Sequence, residues 1–141
     1  MRFVARSVIR TTPERLFAFH ELPDVLQRLV PDVRVIQSAP SLRPGARAIV
    51  EIRVAFFRIR IESLHTRYDP PRSFEDEQVR GPFRKWRHVH RIEAHPDGAE
   101  LIDEIDWEMP VGFIARWFVT PRLKRMFDYR HRVTREWCEG P

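Results

Sequence analysis

The sequence predicts an α+β domain in which a curved antiparallel sheet of about seven strands carries a long C-terminal helix over its concave face. Three observations lead to this prediction. The chain has 141 residues, which favours one domain spanning residues 1–141. Its middle part alternates apolar and charged residues with a period of two, which is typical of strands. After Met109 and Pro110, apolar residues recur at helical spacing instead.

The N-terminal segment predicts one strand and two short helices. Residues 2–10 alternate between two faces, as a strand requires. At residues 12–14, Thr-Pro-Glu combines a capping hydroxyl, a proline in the first turn and an acid near the positive end of the helix dipole. Residues 23–24, Pro-Asp, open a second short helix, which ends before Pro31.

Six further strands are predicted between the second short helix and the long helix. Prolines and glycines separate them: residues 69–72, Asp-Pro-Pro-Arg, form a turn, and Gly81 with Pro82 interrupts the strand pattern. Charged residues fall mostly on one side of each strand, so we expect a sheet with one solvated and one covered face. The predicted strands are 33–37, 46–54, 57–65, 73–80, 83–94 and 99–108.

The last two strands form a predicted hairpin across residues 95–98, His-Pro-Asp-Gly. Two registers are compatible with this sequence. If residues 96–97 form the loop, His90 lies opposite Asp103. If residues 97–98 form the loop, His90 is the diagonal neighbour of Asp103. A slip by one residue is excluded, because it would turn the apolar side chains to the solvated face.

The segment after Pro110 predicts the helix that covers the sheet. Thr120 and Pro121 either start a second helical piece or kink a single helix, and the sequence is compatible with both. Basic residues flank the apolar stripe of this helix, so most of them are expected to face solvent. The stripe consists of Leu123, Met126, Phe127, Arg130, Val133 or Thr134, and Trp137.

The most informative feature is a set of polar side chains on the concave side of the predicted sheet. His88, His90 and Asp103 lie there in either register, where an apolar core is expected. A buried polar group without a hydrogen-bond partner costs about 1–3 kcal/mol. These groups therefore either satisfy one another or line a space that holds ligand and water. His-x-His also suits metal binding, but the pattern is too short to specify a metal, and we predict no metal and no cofactor.

Composition and charge narrow the functional classes. The only cysteine, Cys138, cannot form an internal disulfide, and a zinc site of four cysteines is excluded. No apolar run suits a leader peptide or a membrane span, so a cytoplasmic location is expected. The net charge of +5 is spread along the chain among acids, which argues against nucleic acid as the main partner.

Three motifs and the order of the elements resemble a known family. The motif residues are Phe74, Asp76, Gln78, Gly81, Pro82, Phe83, Trp86, His88 and His90, then Asp103, Ile105, Trp107, Pro110 and Gly112, and finally residues 127–130 on the long helix. Together with one strand, two short helices, six strands and a long helix, they resemble the helix-grip fold of the SRPBCC superfamily. That superfamily includes START lipid-transfer domains, plant pathogenesis-related allergens and aromatic polyketide cyclases. The motifs look like those of a bacterial ligand-binding subgroup described as cyclase/dehydratase-like.

The resemblance implies a cavity between the sheet and the long helix, with an opening near the first half of the helix and the adjacent loops. It implies no particular reaction, because members of the superfamily share a fold that can enclose a ligand but do not share one reaction. The resemblance and the inward-facing pattern together predict the ligand-binding residues Asp76, Gln78, Trp86, His88, His90, Asp103, Ile105, Trp107 and Trp117.

Three functions are compatible with the sequence. The favoured one is binding of a small hydrophobic or amphipathic molecule (a lipid, isoprenoid, quinone or polyketide-like ring system) by a monomer or weak dimer. The second is a cyclase or dehydratase in which the candidate catalytic residues His88, His90 and Asp103 supply a general base. The third is binding of nucleic acid or an anionic membrane by basic residues of the long helix, namely Arg116, Arg122, Lys124, Arg125, Arg132 and Arg135.

Overall fold

The computed structural model describes residues 1–141, and its elements follow the predicted order. The fourth strand is longer than predicted and continues to the turn at residues 69–72. The elements are β1 Arg2–Ile9, α1 Pro13–His20, α2 Val25–Leu29, β2 Arg34–Gln37, β3 Arg47–Val54, β4 Phe57–Asp69, β5 Ser73–Arg80, β6 Lys85–His95, β7 Gly98–Glu108 and α3 Phe113–Glu139.

The seven strands form one curved antiparallel sheet in the order β1-β7-β6-β5-β4-β3-β2. β1 and β2 are therefore its edges, and the predicted hairpin β6–β7 lies inside it. His95 pairs with Gly98, so residues 96–97 form the hairpin loop. Of the two predicted registers, the structure adopts the one that pairs His90 directly with Asp103.

α3 is one continuous helix with Pro121 inside it, so the single-helix alternative is confirmed. Its side chains toward the sheet follow the predicted stripe: Leu123, Phe127 and Thr134 are buried. The other stripe residues, Met126, Arg130, Val133 and Trp137, are half-buried. None of the three helices combines the length and the apolar character needed to cross a bilayer.

The apolar core consists of two clusters. The larger one packs α1 and the end of α3 on the sheet and includes Ile9, Phe19 and Leu101. The smaller one lies under the first half of α3, where Leu123 and other helix residues meet Trp107 and its neighbours on β1, β6 and β7. α3 is thus anchored on the β1–β7–β6 side of the sheet.

The concave side of β3 and β4 is apolar but belongs to neither core cluster. Val50 pairs with Ile61, and Ile52 pairs with Ile59. These four side chains alternate in phase with His65 further along β4, which faces the concave side. All four are only half-buried. We call this surface the β3–β4 trough.

The convex face carries ion pairs between neighbouring strands. Arg91 of β6 lies 2.8 Å from Glu104 of β7, and Arg87 of β6 lies 3.0 Å from Glu75 of β5. The glutamates of these pairs are largely buried, and cross-strand pairs of opposite charge contribute about 0.2–1 kcal/mol each. They therefore favour the observed strand register more than they stabilise the fold.

Candidate functional site

The polar side chains predicted to face the concave side assemble across β5, β6 and β7. Alternation along β6 directs His88 and His90 to the same face. The antiparallel pairing sets Asp76 of β5 opposite His88, and Asp103 of β7 opposite His90. Both histidines and Asp103 are buried, and Asp76 is half-buried. These four residues and His131 of α3 are called the histidine–aspartate cluster below.

The Asp103 carboxylate faces three imidazoles. Its Oδ1 lies 2.8 Å from Nε2 of His88 and 3.1 Å from Nδ1 of His90. Its Oδ2 lies 2.7 Å from Nε2 of His131. An ionised carboxylate only accepts hydrogen bonds, so each of these nitrogens carries a hydrogen. Burial opposes ionisation of Asp103, but these hydrogen bonds outweigh it and hold its pKa well below the usual range.

His90 lies between two carboxylates. Its Nε2 is 3.0 Å from Oδ2 of Asp76, and its Nδ1 faces Asp103. A ring held between two ionised carboxylates is stabilised in its charged imidazolium form. Burial lowers the pKa of His90, but the bonds to both carboxylates raise it overall above its ordinary value. Burial raises the pKa of Asp76, but the bond from His90 and the interactions with His88, His90 and His65 together lower it to about 2.

His88 is the neutral base of the cluster. Burial and the neighbouring charge of His90 lower its pKa. Because Nε2 donates to Asp103, Nδ1 of the neutral ring holds a lone pair. This nitrogen lies 4.0 Å from Oδ2 of Asp76, which is too far for a hydrogen bond. The cluster therefore contains one imidazole nitrogen that is free to accept a proton.

His131 joins the long helix to the sheet, a role that sequence reasoning missed. Its Nδ1 lies 2.7 Å from Oγ of Ser7 on β1. This hydrogen bond and the one to Asp103 tie α3 to both β1 and β7. A signal was present, because His131 follows Phe127 by four residues and so shares its buried face. The predicted stripe placed Arg130 on that face and left His131 out.

Two further polar side chains lie beside the cluster. Nδ1 of His20 is 2.9 Å from the carbonyl of Leu16, and burial, with the charge of His90, lowers the pKa of His20 to about 4. Arg130 forms no ion pair, and its Nε is buried without a partner. The guanidinium of Arg130 and the imidazolium of His90 oppose the negative charges of Asp76 and Asp103.

A cavity of about 10 Å³ remains beside these groups, which is room for about one water molecule. The space beside these residues is far smaller than the ligand-sized cavity predicted there, because the polar groups bond one another and fill it. This outcome matches the alternative of a mutually satisfied cluster. The cavity is lined by His20, Leu29, His90, Leu101, Asp103, Arg130, His131 and Thr134.

Several predicted ligand-binding residues have structural contacts instead of facing an open cavity. Nε2 of Gln78 donates to the carbonyl of Phe83 at 2.7 Å, and its Oε1 accepts from the Phe83 amide at 3.3 Å. Gln78 therefore stabilises the loop between β5 and β6 through these two hydrogen bonds. Ile105 and Trp107 are buried in the smaller core cluster, and Trp86 packs half-buried against it.

Trp117 departs most from its predicted position on the cavity wall. Its side chain is 70% exposed, whereas Ala115 is buried against the sheet. Two residues along a helix correspond to a rotation of about 200°, so Trp117 points away from the face that Ala115 presents. The sequence predicts that apolar residues of α3 face inward, whereas the structure also exposes aromatic side chains on this helix.

Three residues of the cluster have the spacing of a metal site. Ligand atoms of Asp76, His88 and His90 lie within 4.8 Å of one another. However, the two imidazoles overlap, with centroids 3.6 Å apart and planes inclined by 30°. Rings stacked in this way cannot both direct an in-plane lone pair at one ion without rotating. Hydrogen bonding explains this grouping, so no metal enters the proposals below.

Comparison with known proteins agrees with the fold and the motifs. Residues 9–129 match the family described as polyketide cyclase / dehydrase and lipid transport. The chain belongs to this family. The match confirms the predicted resemblance, and it covers every element from α1 to β7 as well as much of α3. No curated protein sequence matches this family member.

Solved structures share its fold at low sequence identity. The aromatase/cyclase StfQ of the steffimycin biosynthetic pathway aligns with a TM-score of 0.79 and 10% identity, over 98% of this chain and 50% of the two-domain StfQ. TTHA0849 of Thermus thermophilus gives 0.71 and 16%, over 96% and 95% of the chains. Ara h 8.0201 gives 0.68 and 13%, over 95% and 97%. These similarities confirm the helix-grip fold.

Replacing Asp103 by Asn tests its role as shared acceptor. The amide cannot accept from three imidazoles, and it leaves the buried imidazolium of His90 with one carboxylate. We expect Asp103→Asn to reduce the free energy of unfolding by about 3–5 kcal/mol, measured by urea denaturation. The control Asp97→Asn, on an 80% exposed side chain of the hairpin loop, should change it by less than about 0.5 kcal/mol. Equal effects of the two variants would contradict this role.

His20 predicts a loss of stability in mild acid. Its pKa is about 4 in the folded protein against 6.5 ordinarily, so below pH 6.5 the unfolded chain binds a proton that the folded one excludes. Stability therefore falls as the pH drops from 6.5 to 4, by about 3 kcal/mol from this residue. In His20→Phe, urea denaturation across this range should show a smaller fall. If the pH dependence of the unfolding free energy is the same in His20→Phe, folding does not prevent protonation of His20.

Proposed function

We propose that this family member binds a small hydrophobic or amphipathic molecule between the β3–β4 trough and the first half of α3. The trough is the observation that carries the proposal. Its four aliphatic side chains lie on a concave face, where side chains usually pack in a core, yet they contact neither core cluster. An apolar concave surface of this kind is typical of a ligand site.

A polar group at the end of the trough supports an amphipathic ligand. Ser63 and His65 continue β4 beyond Ile61, and His65 pairs with Asp76 of the cluster. Nδ1 of His65 is buried without a hydrogen-bond partner. An unpaired buried group costs about 1–3 kcal/mol, so a hydroxyl or carbonyl of a ligand would be stabilised by bonding to it. The ligand body would lie on the trough and its polar end near His65.

In this proposal the ligand lies beside the histidine–aspartate cluster and not on top of it. The cluster is already hydrogen-bonded, and its cavity holds about one water molecule. Its contribution to binding would be to hold α3 at a fixed position over β1 and β7. Family membership supports the same function, since lipid transport is part of the family description.

Two isoleucines on opposite faces of the sheet test the trough. Ile61 faces the trough from β4, while Ile49 of β3 is also half-buried but faces the convex side. We expect Ile61→Ser to weaken binding of the amphipathic dye anilinonaphthalenesulfonate or of oleate roughly tenfold, through lost apolar contact. Fluorescence titration of both variants measures this.

The matched variant Ile49→Ser should bind the same probes as the unsubstituted protein does. Circular dichroism and thermal unfolding of both variants would show that each is folded. If the Ile61→Ser variant binds the probes as tightly as the unsubstituted protein does, the trough is not the binding site. No saturable binding of either probe, or of isoprenoid and polyketide-like compounds, would overturn it.

A cyclase or dehydratase activity is the second candidate, and the free nitrogen of His88 favours it. Asp103 fixes the tautomer that leaves this nitrogen unprotonated, as a general base requires. The reaction class would be removal of a proton beside a carbonyl group. A substrate would have to displace the side chains that now close the cluster.

Hydrogen–deuterium exchange at the carbon beside the carbonyls of an aromatic β-ketoester tests this candidate. We expect the protein to accelerate exchange in heavy water, followed by NMR, and His88→Phe to abolish the acceleration while dye binding is kept. His95→Phe, at the hairpin loop, is the control and should retain the activity. If exchange proceeds equally fast with and without protein, the general-base role is wrong.

A further inference from the structure

Exposed aromatic side chains collect at one end of the molecule. β3, β5 and β7 all end there, so the turn at 55–56, the loop at 81–84 and the connection at 109–112 lie side by side. α3 begins at the same end. Five aromatic side chains protrude from the hairpin tip and the first turns of α3: Phe56 is 100% exposed, Phe57 70%, Phe113 72%, Trp117 70% and Phe118 69%. We call this surface the aromatic end.

The two parts of the aromatic end are close enough to meet one flat surface. Three strand spacings separate the β3–β4 hairpin from β7, or about 14 Å along the sheet, and curvature shortens this distance. Val111 and Ile114 flank Phe113 in the sequence and are both more than half exposed, so they add aliphatic surface at this end. Large apolar groups gathered on one surface usually mark an interaction site.

Unpaired basic residues surround the aromatic end. On the convex face, arginines form ion pairs with glutamates of neighbouring strands. At the aromatic end the basic side chains are exposed and form no ion pair. This set comprises Arg53 and Arg58 beside the hairpin tip, Arg84 and Lys85 in the loop region before and at the start of β6, and Arg116 and Arg122 on α3.

We propose that the aromatic end docks onto the surface of an anionic phospholipid bilayer. Aromatic side chains would enter the interface between headgroups and acyl chains, where Trp and Phe are favoured. The surrounding basic side chains would contact acidic headgroups, so that apolar insertion and electrostatic attraction act together. The inference does not depend on the proposed ligand, because it rests on exposed residues outside the trough.

Other occupants fit the surface less well. A nucleic acid duplex would satisfy the cations but would leave five aromatic side chains in water. A second copy of the chain would cover the aromatic side chains but would bring two basic rims together, which costs electrostatic energy. A bilayer with acidic headgroups satisfies both features at once. The lesser alternative from the sequence put membrane binding on the basic residues of α3, whereas the proposed surface lies at one end of the molecule and includes the hairpin tip.

Vesicle co-sedimentation tests the docking surface. Binding is expected to vesicles of equimolar phosphatidylcholine and phosphatidylserine, to be weaker on phosphatidylcholine alone, and to fall with added salt. Phe56→Ser combined with Phe57→Ser should weaken binding at least tenfold without loss of folding, because both side chains are exposed. The control Val4→Ser changes an exposed apolar residue on the convex side of β1 and should bind normally.

Charge reversal provides the second arm of the test. Arg58→Glu combined with Arg84→Glu reverses two charges at the aromatic end. Arg43→Glu combined with Arg72→Glu changes the net charge equally at the opposite end, where the connections from β2 to β3 and from β4 to β5 lie. The first pair should lose binding to anionic vesicles at least tenfold, and the second should retain most of it.

Several results would overturn the docking proposal. One is the absence of binding to anionic vesicles. Another is equal loss of binding in the two charge-reversed proteins, which would show a nonspecific charge effect. A third is binding of duplex DNA in place of vesicles, and a fourth is a stable dimer that the Phe56→Ser and Phe57→Ser substitutions dissociate. The dye titration with Ile61→Ser is performed without membranes, so failure of docking and failure of ligand binding are separate results.

Discussion

The buried Asp103 carboxylate imposes the main constraint on this structure. An ionised carboxylate is stable between a sheet and a helix only when hydrogen bonds and opposite charge compensate its lost hydration. Here His88 and His90 come from the neighbouring strand, and His131 comes from the helix. The hydrogen bonds that Asp103 accepts thereby fix the hairpin register and the position of α3 over β7. His90 and Arg130 then neutralise Asp103 and Asp76 together.

This constraint divides the concave face into two parts. On the β5–β6–β7 part, polar groups bond one another and leave room for about one water molecule. On the β3–β4 part, aliphatic side chains such as Val50 and Ile59 remain half-buried without a partner from the core. α3 cannot cover both parts while His131 holds it near β1 and β7. The fold therefore has a closed polar part and an open apolar part, and the proposed ligand belongs to the open one.

Predictability differed between the sheet and the helix for a physical reason. A strand has a period of two, so one polar residue such as His88 identifies the face of its neighbours. The hairpin sequence then left two registers, both with His90 near Asp103. A helix buries a broad stripe, and its sequence did not show which edge of that stripe meets the sheet. This is why His131 was missed, and why Trp117 was expected inside although it lies outside.

The sequence by itself determined the order of the elements, the antiparallel sheet and the inward direction of His88, His90 and Asp103, because each follows from local periodicity or turn chemistry. It also indicated the family, through the resemblance of its motifs. Only the tertiary structure decided whether those inward groups enclose a ligand or one another, since the answer depends on distances between β5, β7 and α3, which lie far apart along the chain. It also decided which apolar residues stay uncovered. The trough and the aromatic end arise because one long helix covers only part of a wide curved sheet.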